Sequence, residues 1–426
     1  MVAIEIIYSH FLKYESVSTD SRKIEPNCIF FALKGENFNG NLYALEALKK
    51  GAAFVVVDEK LDSVDKRVLY VPNVLIALQK FANKYRSEFQ IPIIAITGSN
   101  GKTTTKELMA SILGTQFKTH FTNGNLNNHI GVPLTLLHLR REHEIAIIEM
   151  GANHVGEIAA LCKIAAPTHG LITNIGMAHL EGFGGVEGVK KGKGELFDFL
   201  EQNNGVVFVN ESEPTVKPLA DIRNLKMVKF SYNSKHMGFV NLKYTKNSSP
   251  LEIKLDCYNN LIFNLQTQLH GKYNLPNILY AICIGLYFKV PINRIMNALK
   301  SYVPDNNRSQ LLEIGSNKFI LDAYNANPSS MELAINNFKD LDHHKKIVLL
   351  GDMNELGEYT DQEHKRIANL ALTGGFSKVL FIGKNFPNND FGNVSSLKTW
   401  FDEQEWEDCF FLVKGSRAVA LEKLLV

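Results

Sequence analysis

Residues 92 to 105 read Pro-Ile-Ile-Ala-Ile-Thr-Gly-Ser-Asn-Gly-Lys-Thr-Thr-Thr, an order that few local structures can accommodate. The apolar run is a buried strand, and glycines at 98 and 101 end it in a tight turn. From Lys102 the chain turns helical, with Leu108, Met109, Ile112 and Leu113 at helical spacing. Strand, glycine turn and helix in that order make a cradle for an oxyanion. Gly98 and Gly101 let the backbone N–H groups of the Ser99-Asn100 turn crowd around it, and the helix N-terminus adds its positive end. Lys102 can neutralise the β and γ phosphates, Thr103 can place its hydroxyl on Mg²⁺, and Thr104 closes the loop. The longer phosphate-loop pattern would put glycine at 96, where this chain has Ile96, so the match is the shorter T-G-x-x-G-K-T-T form. The segment predicts an ATP site.

With 426 residues the chain has length for two to four domains, each able to bury a core. A net charge of +2 and 21% charged residues leave no polybasic arm for nucleic acid. Its five cysteines, Cys28, Cys162, Cys257, Cys283 and Cys409, are scattered and predict free thiols in a reducing compartment. The opening residues lack the features of an export signal, and the longest uncharged apolar run, 278–288, is too short to span a bilayer. A cytoplasmic monomer is expected, in which the triplet Asn247-Ser248-Ser249 is not a glycosylation site.

The expected fold class is α/β in three domains. Residues 1–89 form a small N-terminal α/β unit with strands near 28–33 and 53–57 and a linking helix over 78–89. Residues 90–302 alternate strand and helix around a mostly parallel sheet with strands at 93–97, 145–149, 170–175 and 206–210. A period-two stretch from Phe239 to Leu269 adds a hairpin or meander. Residues 303–426 form a third α/β unit with strands at 318–322, 347–350, 379–382 and 410–413. Within it Asn327 caps a helix that Pro328 opens and that carries an apolar stripe of Met331, Ala334, Ile335, Phe338 and Leu341.

Three further segments carry chemistry at strand ends, where open α/β sheets bind ligands. Glu149 ends an apolar strand and is the acid expected to complete Mg²⁺ coordination with Thr103. His179 follows the third strand of the central domain and could face the same metal. The loop with Asn127 and Asn128 offers donors suited to phosphate or sugar. By contrast Lys190-Lys191-Gly192-Lys193 reads on its own as a solvated basic turn, and Asp20-Ser21-Arg22 as a polar turn.

Taken together, the blocks 97–105, 123–134, 149–158, 173–185 and 188–197 resemble the Mur ligases, cytoplasmic enzymes that add amino acids to the UDP-linked precursor of bacterial peptidoglycan. Further matching blocks are His270-Gly-Lys-Tyr-Asn274-Leu-Pro-Asn277, Asn306-Asn-Arg308-Ser, the run 322–331, Leu350-Gly-Asp352-Met-Asn-Glu355-Leu-Gly357 and Val413-Lys-Gly-Ser-Arg417. These later blocks are similar to the branch that attaches D-alanyl-D-alanine to UDP-N-acetylmuramoyl-tripeptide. The resemblance implies an N-terminal UDP-binding domain, a central phosphate-loop ATPase-like domain and a C-terminal Rossmann-like domain that closes on ATP. It implies that Lys193 is carried as an N-carboxylated carbamate, which reverses its sign and gives a hard metal two oxygens. His179 is then a ligand of a second Mg²⁺, Asn277 an adenine contact, Arg308 a γ-phosphate contact and Asp322 a ribose contact. Ser21 and Arg22 fall where the UDP end of the substrate is held, and Asn127, Asn128 and Asn325 become substrate-contact candidates. The chain departs from its relatives at Tyr273, where His is usual, and at Asn39 and Asn41, where Asp and His are frequent.

The implied reaction is ATP-dependent: the peptide carboxylate takes the γ-phosphoryl group and the resulting acyl phosphate meets the dipeptide amine. Rival readings are a sister ligase, a folylpolyglutamate synthase-like enzyme, and, in a different class, a phosphate-loop kinase or switch. A nucleotide-sugar binding protein without activity fits least, because Lys102, Thr103, Glu149, His179 and Lys193 are all present.

Overall fold

A computed structural model describes residues 2–231, 240–244, 250–257, 261–304 and 307–425. Phe239, the triplet Asn247-Ser248-Ser249 and Asn306 lie outside the described residues. The chain divides into two compact units, the first comprising residues 1–95, 118–150 and 159–168 and the second 96–117, 151–158 and 169–426.

In the first unit a four-stranded parallel sheet runs in the order Val17–Ser18, Ile29–Phe31, Phe54–Val57, Val68–Tyr70. Its core is Cys28, Phe30, Ala32, Val55 and Val57 against Ala44, Ala47 and Leu48 of the following helical turns. Helix Val74–Ser87 begins at Asn73, whose side chain accepts from the Ile76 N–H at 2.8 Å. Near its end the buried Arg86 guanidinium donates to the carbonyls of Phe89, Ala165 and Ala166. Those bonds satisfy a cation that burial would otherwise make costly. Strands Thr119–Phe121 and Ile145–Glu149 pair in parallel, and the latter is buried along its whole length.

The second unit holds three strand systems. Strands His169–Ile172, Val206–Asn210 and Lys226–Phe230 are parallel neighbours. The expected strand over 170–175 stops at Ile172, because the residues beyond it turn their polar groups to the glycine loop. Thr173 Oγ1 donates to the Asn100 carbonyl at 2.6 Å, and Asn174 Oδ1 accepts from the Asn100 N–H at 3.0 Å. The period-two stretch is a three-stranded antiparallel meander, Val240–Tyr244, Glu252–Cys257 and Leu261–Gln266. The last sheet runs Gln310–Ile314, Asn317–Asp322, Phe410–Lys414, Lys346–Gly351, Lys378–Ile382, with only the first strand antiparallel. Helix Pro328–Asp340 starts with the expected Asn327 cap, made reciprocal by Ser330, and buries Met331, Ala334, Ile335 and Phe338.

Helix Lys102–Leu113 packs against helix Leu275–Tyr287, close enough that a Cβ on Gly285 would lie 2.6 Å from Ile112 Cγ2. Among the described residues Cys28, Cys162, Cys283 and Cys409 are buried free thiols, and no helix is long and apolar enough to cross a membrane.

Burial holds three imidazoles neutral: His120, His169 and His270 are each pushed down to about 4 by desolvation. The unfolded chain protonates them near pH 6.5, so it binds more protons than the folded chain between about pH 6.5 and 4. Stability is therefore intact above that window and is lost as pH falls through it, by about 1.4 kcal/mol per pH unit for each histidine. His169 lies among Phe208, Tyr287 and Phe288. Replacing it by Phe is expected to reduce the acid slope by about 1.4 kcal/mol per pH unit within that window, read from urea midpoints between pH 4 and 7. A slope identical to that of the wild type would contradict this.

Candidate active site

The glycine turn is built as its sequence requires. Gly98 and Gly101 have φ of 142° and 79°, conformations that a side chain resists. Space excludes one as well. A Cβ on Gly98 would meet Thr173 Oγ1 at 2.0 Å, and one on Gly101 would meet Asn277 Oδ1 at 2.4 Å. Lys102 lies back over the loop, its Nζ donating to the carbonyls of Gly98 and Ser99 at 2.7 and 3.3 Å. Thr103 is buried in the first turn of the helix. Asn277, expected at the adenine end, receives a hydrogen bond from Thr105 Oγ1 at 3.0 Å and donates to Asn274 Oδ1 at 2.9 Å.

Lys193 overturns the solvated-turn reading of 190–193. The segment belongs to helix Val186–Gln202, and Val189, Lys193, Leu196, Phe197 and Leu200 share its buried face. Lys193 is only 1% exposed, its Nζ donating to the Ala152 carbonyl at 3.1 Å and lying 5.1 Å over the Phe183 ring. Desolvation drives its pKa well below the ordinary lysine value, and the Lys102 charge pushes the same way. Glu157 and Glu195 oppose both. Burial therefore disfavours the charged form of this amine.

His179 has a left-handed backbone, φ 54°, and its Nδ1 faces the Glu355 carboxylate. Arg308 stacks its guanidinium 3.7 Å over the Tyr324 ring, with Nε buried and without an acceptor among the described residues. Asp322 is held by two groups: its Oδ1 accepts from the Ser309 N–H at 3.3 Å and its Oδ2 from Lys414 Nζ at 2.6 Å. Lys414, 2% exposed, also reaches the Asn325 carbonyl at 3.3 Å. Tyr273 bonds Ser309 Oγ at 2.7 Å.

Two contacts join the phosphate loop and the loop after strand 169–172 to the helix cap at 327–330. Asn327 Nδ2 donates to Asn100 Oδ1 at 2.8 Å, and the Met177 N–H donates to Ser329 Oγ at 2.9 Å. The sequence marks Asn327 only as a helix cap. Its second bond, like the support Lys414 gives Asp322, is visible only once the chain is folded.

The remaining predicted positions belong to the first unit. Glu149 is 1% exposed at the end of its strand, where its Oε1 accepts from Asn127 Nδ2 at 2.8 Å. Asn128 spends its side-chain oxygen on the N–H groups of Ile130 and Gly131, opening the next helix. Ser21 is buried, and the exposed Arg22 pairs with Asp20 at 2.8 Å, which holds that carboxyl well below its usual range. Asn39 and Asn41 are tied to Glu59 and Asp58.

Among the described residues no three His, Cys, Asp or Glu side chains converge as a metal cage. The groups present still fit a hard cation. Thr103 carries a hydroxyl in the first turn of its helix, His179 an imidazole, and a carbamate on the buried Lys193 would add two oxygens.

Three sequence profiles match the chain in order: "Mur ligase family, catalytic domain" over residues 13–86, "Mur ligase middle domain" over 96–285 and "Mur ligase, glutamate ligase domain" over 307–396. The chain is 32% identical over 424 residues to the UDP-N-acetylmuramoyl-tripeptide–D-alanyl-D-alanine ligase of Escherichia coli (strain K12), covering 96% of this chain and 93% of that protein. It is 33% identical over 372 residues to the protein of the same name from Bacillus subtilis (strain 168), covering 86% and 80%. A crystal structure of MurF from Acinetobacter baumannii superposes with a TM-score of 0.84 at 29% identity, covering 96% of this chain and 92% of that one. Profile matches in chain order, relatives alike over almost their whole length and a shared three-domain α/β architecture lead to one conclusion: the chain belongs to the Mur ligase family.

Proposed function

We propose that this protein is an ATP-dependent carboxylate–amine ligase that joins D-alanyl-D-alanine to UDP-N-acetylmuramoyl-tripeptide and forms ADP and phosphate. The relatives named for that reaction support the reading over nearly the whole chain. The observation that carries it is the hydrogen bond from Asn327 to Asn100, with Ser329 beside it on Met177. A phosphate loop clasped by a turn from the C-terminal sheet suits a reaction whose acyl phosphate must be kept from water. A kinase or switch reading gives that clasp no task.

In this reading the C-terminal carboxylate of the tripeptide attacks the γ-phosphorus of ATP and ADP leaves. The dipeptide amine then attacks the acyl carbon, and the tetrahedral intermediate collapses with loss of phosphate and of the amine proton. The Lys102 and Arg308 cations spread the charge of the moving phosphoryl group. The buried Arg308 Nε still holds a proton to donate. Asp322, fixed by Lys414 and Ser309, holds the ribose, and Asn277 the adenine. Ser21 and Arg22 serve the UDP end, and Asn127, Asn128 and Asn325 the rest of the substrate. Thr103, Glu149, His179 and a carbamate on Lys193 would hold two Mg²⁺ ions, which would neutralise charge at the phosphates. The carbamate forms when the neutral amine of Lys193 adds to the carbon of CO₂ and loses a proton. The chain works as a monomer in the cytoplasm, with domains at 1–89, 90–302 and 303–426.

Purified protein is expected to release phosphate from ATP only with both UDP-N-acetylmuramoyl-tripeptide and D-Ala-D-Ala present; release that ignores the dipeptide would overturn the ligase reading. Lys193→Ala is expected to lower turnover roughly a hundredfold or more, with Lys193→Glu retaining part of it. Equal, wild-type-like rates would remove the carbamate from the mechanism. Gly101→Ala drives a Cβ into Asn277 at a positive φ. It is expected to weaken ATP binding at least about tenfold by calorimetry, since the loop must open to admit the methyl group. Unchanged affinity would contradict that geometry.

A further inference from the structure

Glu355 stands in the loop after strand Lys346–Gly351 and grips the turn that carries His179 on both sides. Its carboxylate Oε2 faces His179 Nδ1, and its own carbonyl accepts the Glu181 N–H at 3.2 Å. The fit is tight. His179 and Glu355 both hold left-handed backbones, φ 54° and 62°, and a Cβ on Gly357 would press within 3.2 Å of Glu181. Strained backbone of this kind persists only where the surroundings enforce it.

Enforcement comes from the base of the loop. His364 is fully buried; its Nδ1 donates to the Thr360 carbonyl at 2.7 Å, and its Nε2 accepts the Met353 N–H at 3.0 Å. The Asp352 carboxylate accepts the N–H groups of Lys384 and Asn385 at 2.7 and 3.1 Å. Together these anchors present Glu355 to His179.

A carboxylate oxygen set opposite Nδ1 favours the tautomer that carries its proton there, which leaves the lone pair on Nε2. We infer that Glu355 is a positioning residue: its carboxylate fixes His179 in the Nδ1–H tautomer and leaves Nε2 as the nitrogen that binds the metal ion. The inference rests on the reading of His179 as a metal ligand. It makes the C-terminal sheet part of the metal site, because a ligand on the loop after strand 169–172 is completed by a residue from the loop after strand 346–351. Metal affinity and the seating of that loop are then one equilibrium.

Mn²⁺ binding tests this apart from turnover. Full-length protein saturated with a non-hydrolysable ATP analogue and UDP-N-acetylmuramoyl-tripeptide is titrated with Mn²⁺ and followed by electron paramagnetic resonance. His179→Ala and Glu355→Ala are each expected to weaken the same Mn²⁺ site about tenfold or more, with no further loss in the double variant. Glu355→Gln keeps an oxygen for Nδ1–H and is expected to fall between Glu355→Ala and wild type. Glu355 is 48% exposed at its side chain, so these variants are expected to keep the wild-type circular dichroism. Wild-type affinity in Glu355→Ala while His179→Ala is weakened would overturn the positioning role alone. Equal loss in Glu355→Gln and Glu355→Ala would overturn it too, pointing to direct ligation by the carboxylate. Wild-type affinity in His179→Ala would remove the ligand reading beneath it.

Discussion

Taking a primary amine out of water costs several kcal/mol if it stays charged, and Lys193 is taken out of water almost completely. Its nitrogen meets one carbonyl and one aromatic face, and the Glu157 and Glu195 carboxylates only partly offset its desolvation. Lys102 is close enough to make a second positive charge costlier still. A positively charged Lys193 therefore works against the structure around it. Loss of a proton ends the conflict, and capture of CO₂ in the proposed mechanism turns a liability for phosphate binding into a donor for a hard cation. The helix face that buries Lys193, the loop that offers Ala152 and the position of Lys102 all bear on that one nitrogen.

The same unit shows how distant stretches of sequence are made to meet. Asn327 caps a helix and holds Asn100 with the other end of its amide. Asp322 is fixed by Lys414, from the neighbouring strand of its sheet, and by Ser309, which Tyr273 in turn holds. Each bond is worth only about 1 kcal/mol net. Together they set the phosphate loop against the residues proposed to hold ribose and γ-phosphate, so positioning is spread over many modest interactions.

Much of this was legible in the sequence. Buried parallel strands announce themselves as short apolar runs, and those at 93–97, 145–149 and 206–210 occur where the pattern puts them. Pro328 after Asn327 marks a helix start for a local, stereochemical reason. The glycine loop was legible because few backbones satisfy its order of residues. Lys193 was not: three lysines and two glycines in seven residues look solvated. The signal lay in the spacing of Val189, Lys193, Leu196, Phe197 and Leu200, which places the lysine on an apolar helical stripe. Nor could periodicity show that the strand after His169 would stop at Ile172, since Thr173 and Asn174 leave the ladder to serve Asn100. Contacts such as Glu355 to His179 join residues far apart in the chain, and only the fold reveals them.

The central claim is chemical and can be read directly. Protein equilibrated with ¹³C-bicarbonate near neutral pH is predicted to give a ¹³C carbamate resonance that is lost in Lys193→Ala. It should fade as pH falls and CO₂ is driven off. A spectrum with no such resonance, or one that Lys193→Ala leaves unchanged, would contradict the account, because the buried amine would then have some other fate.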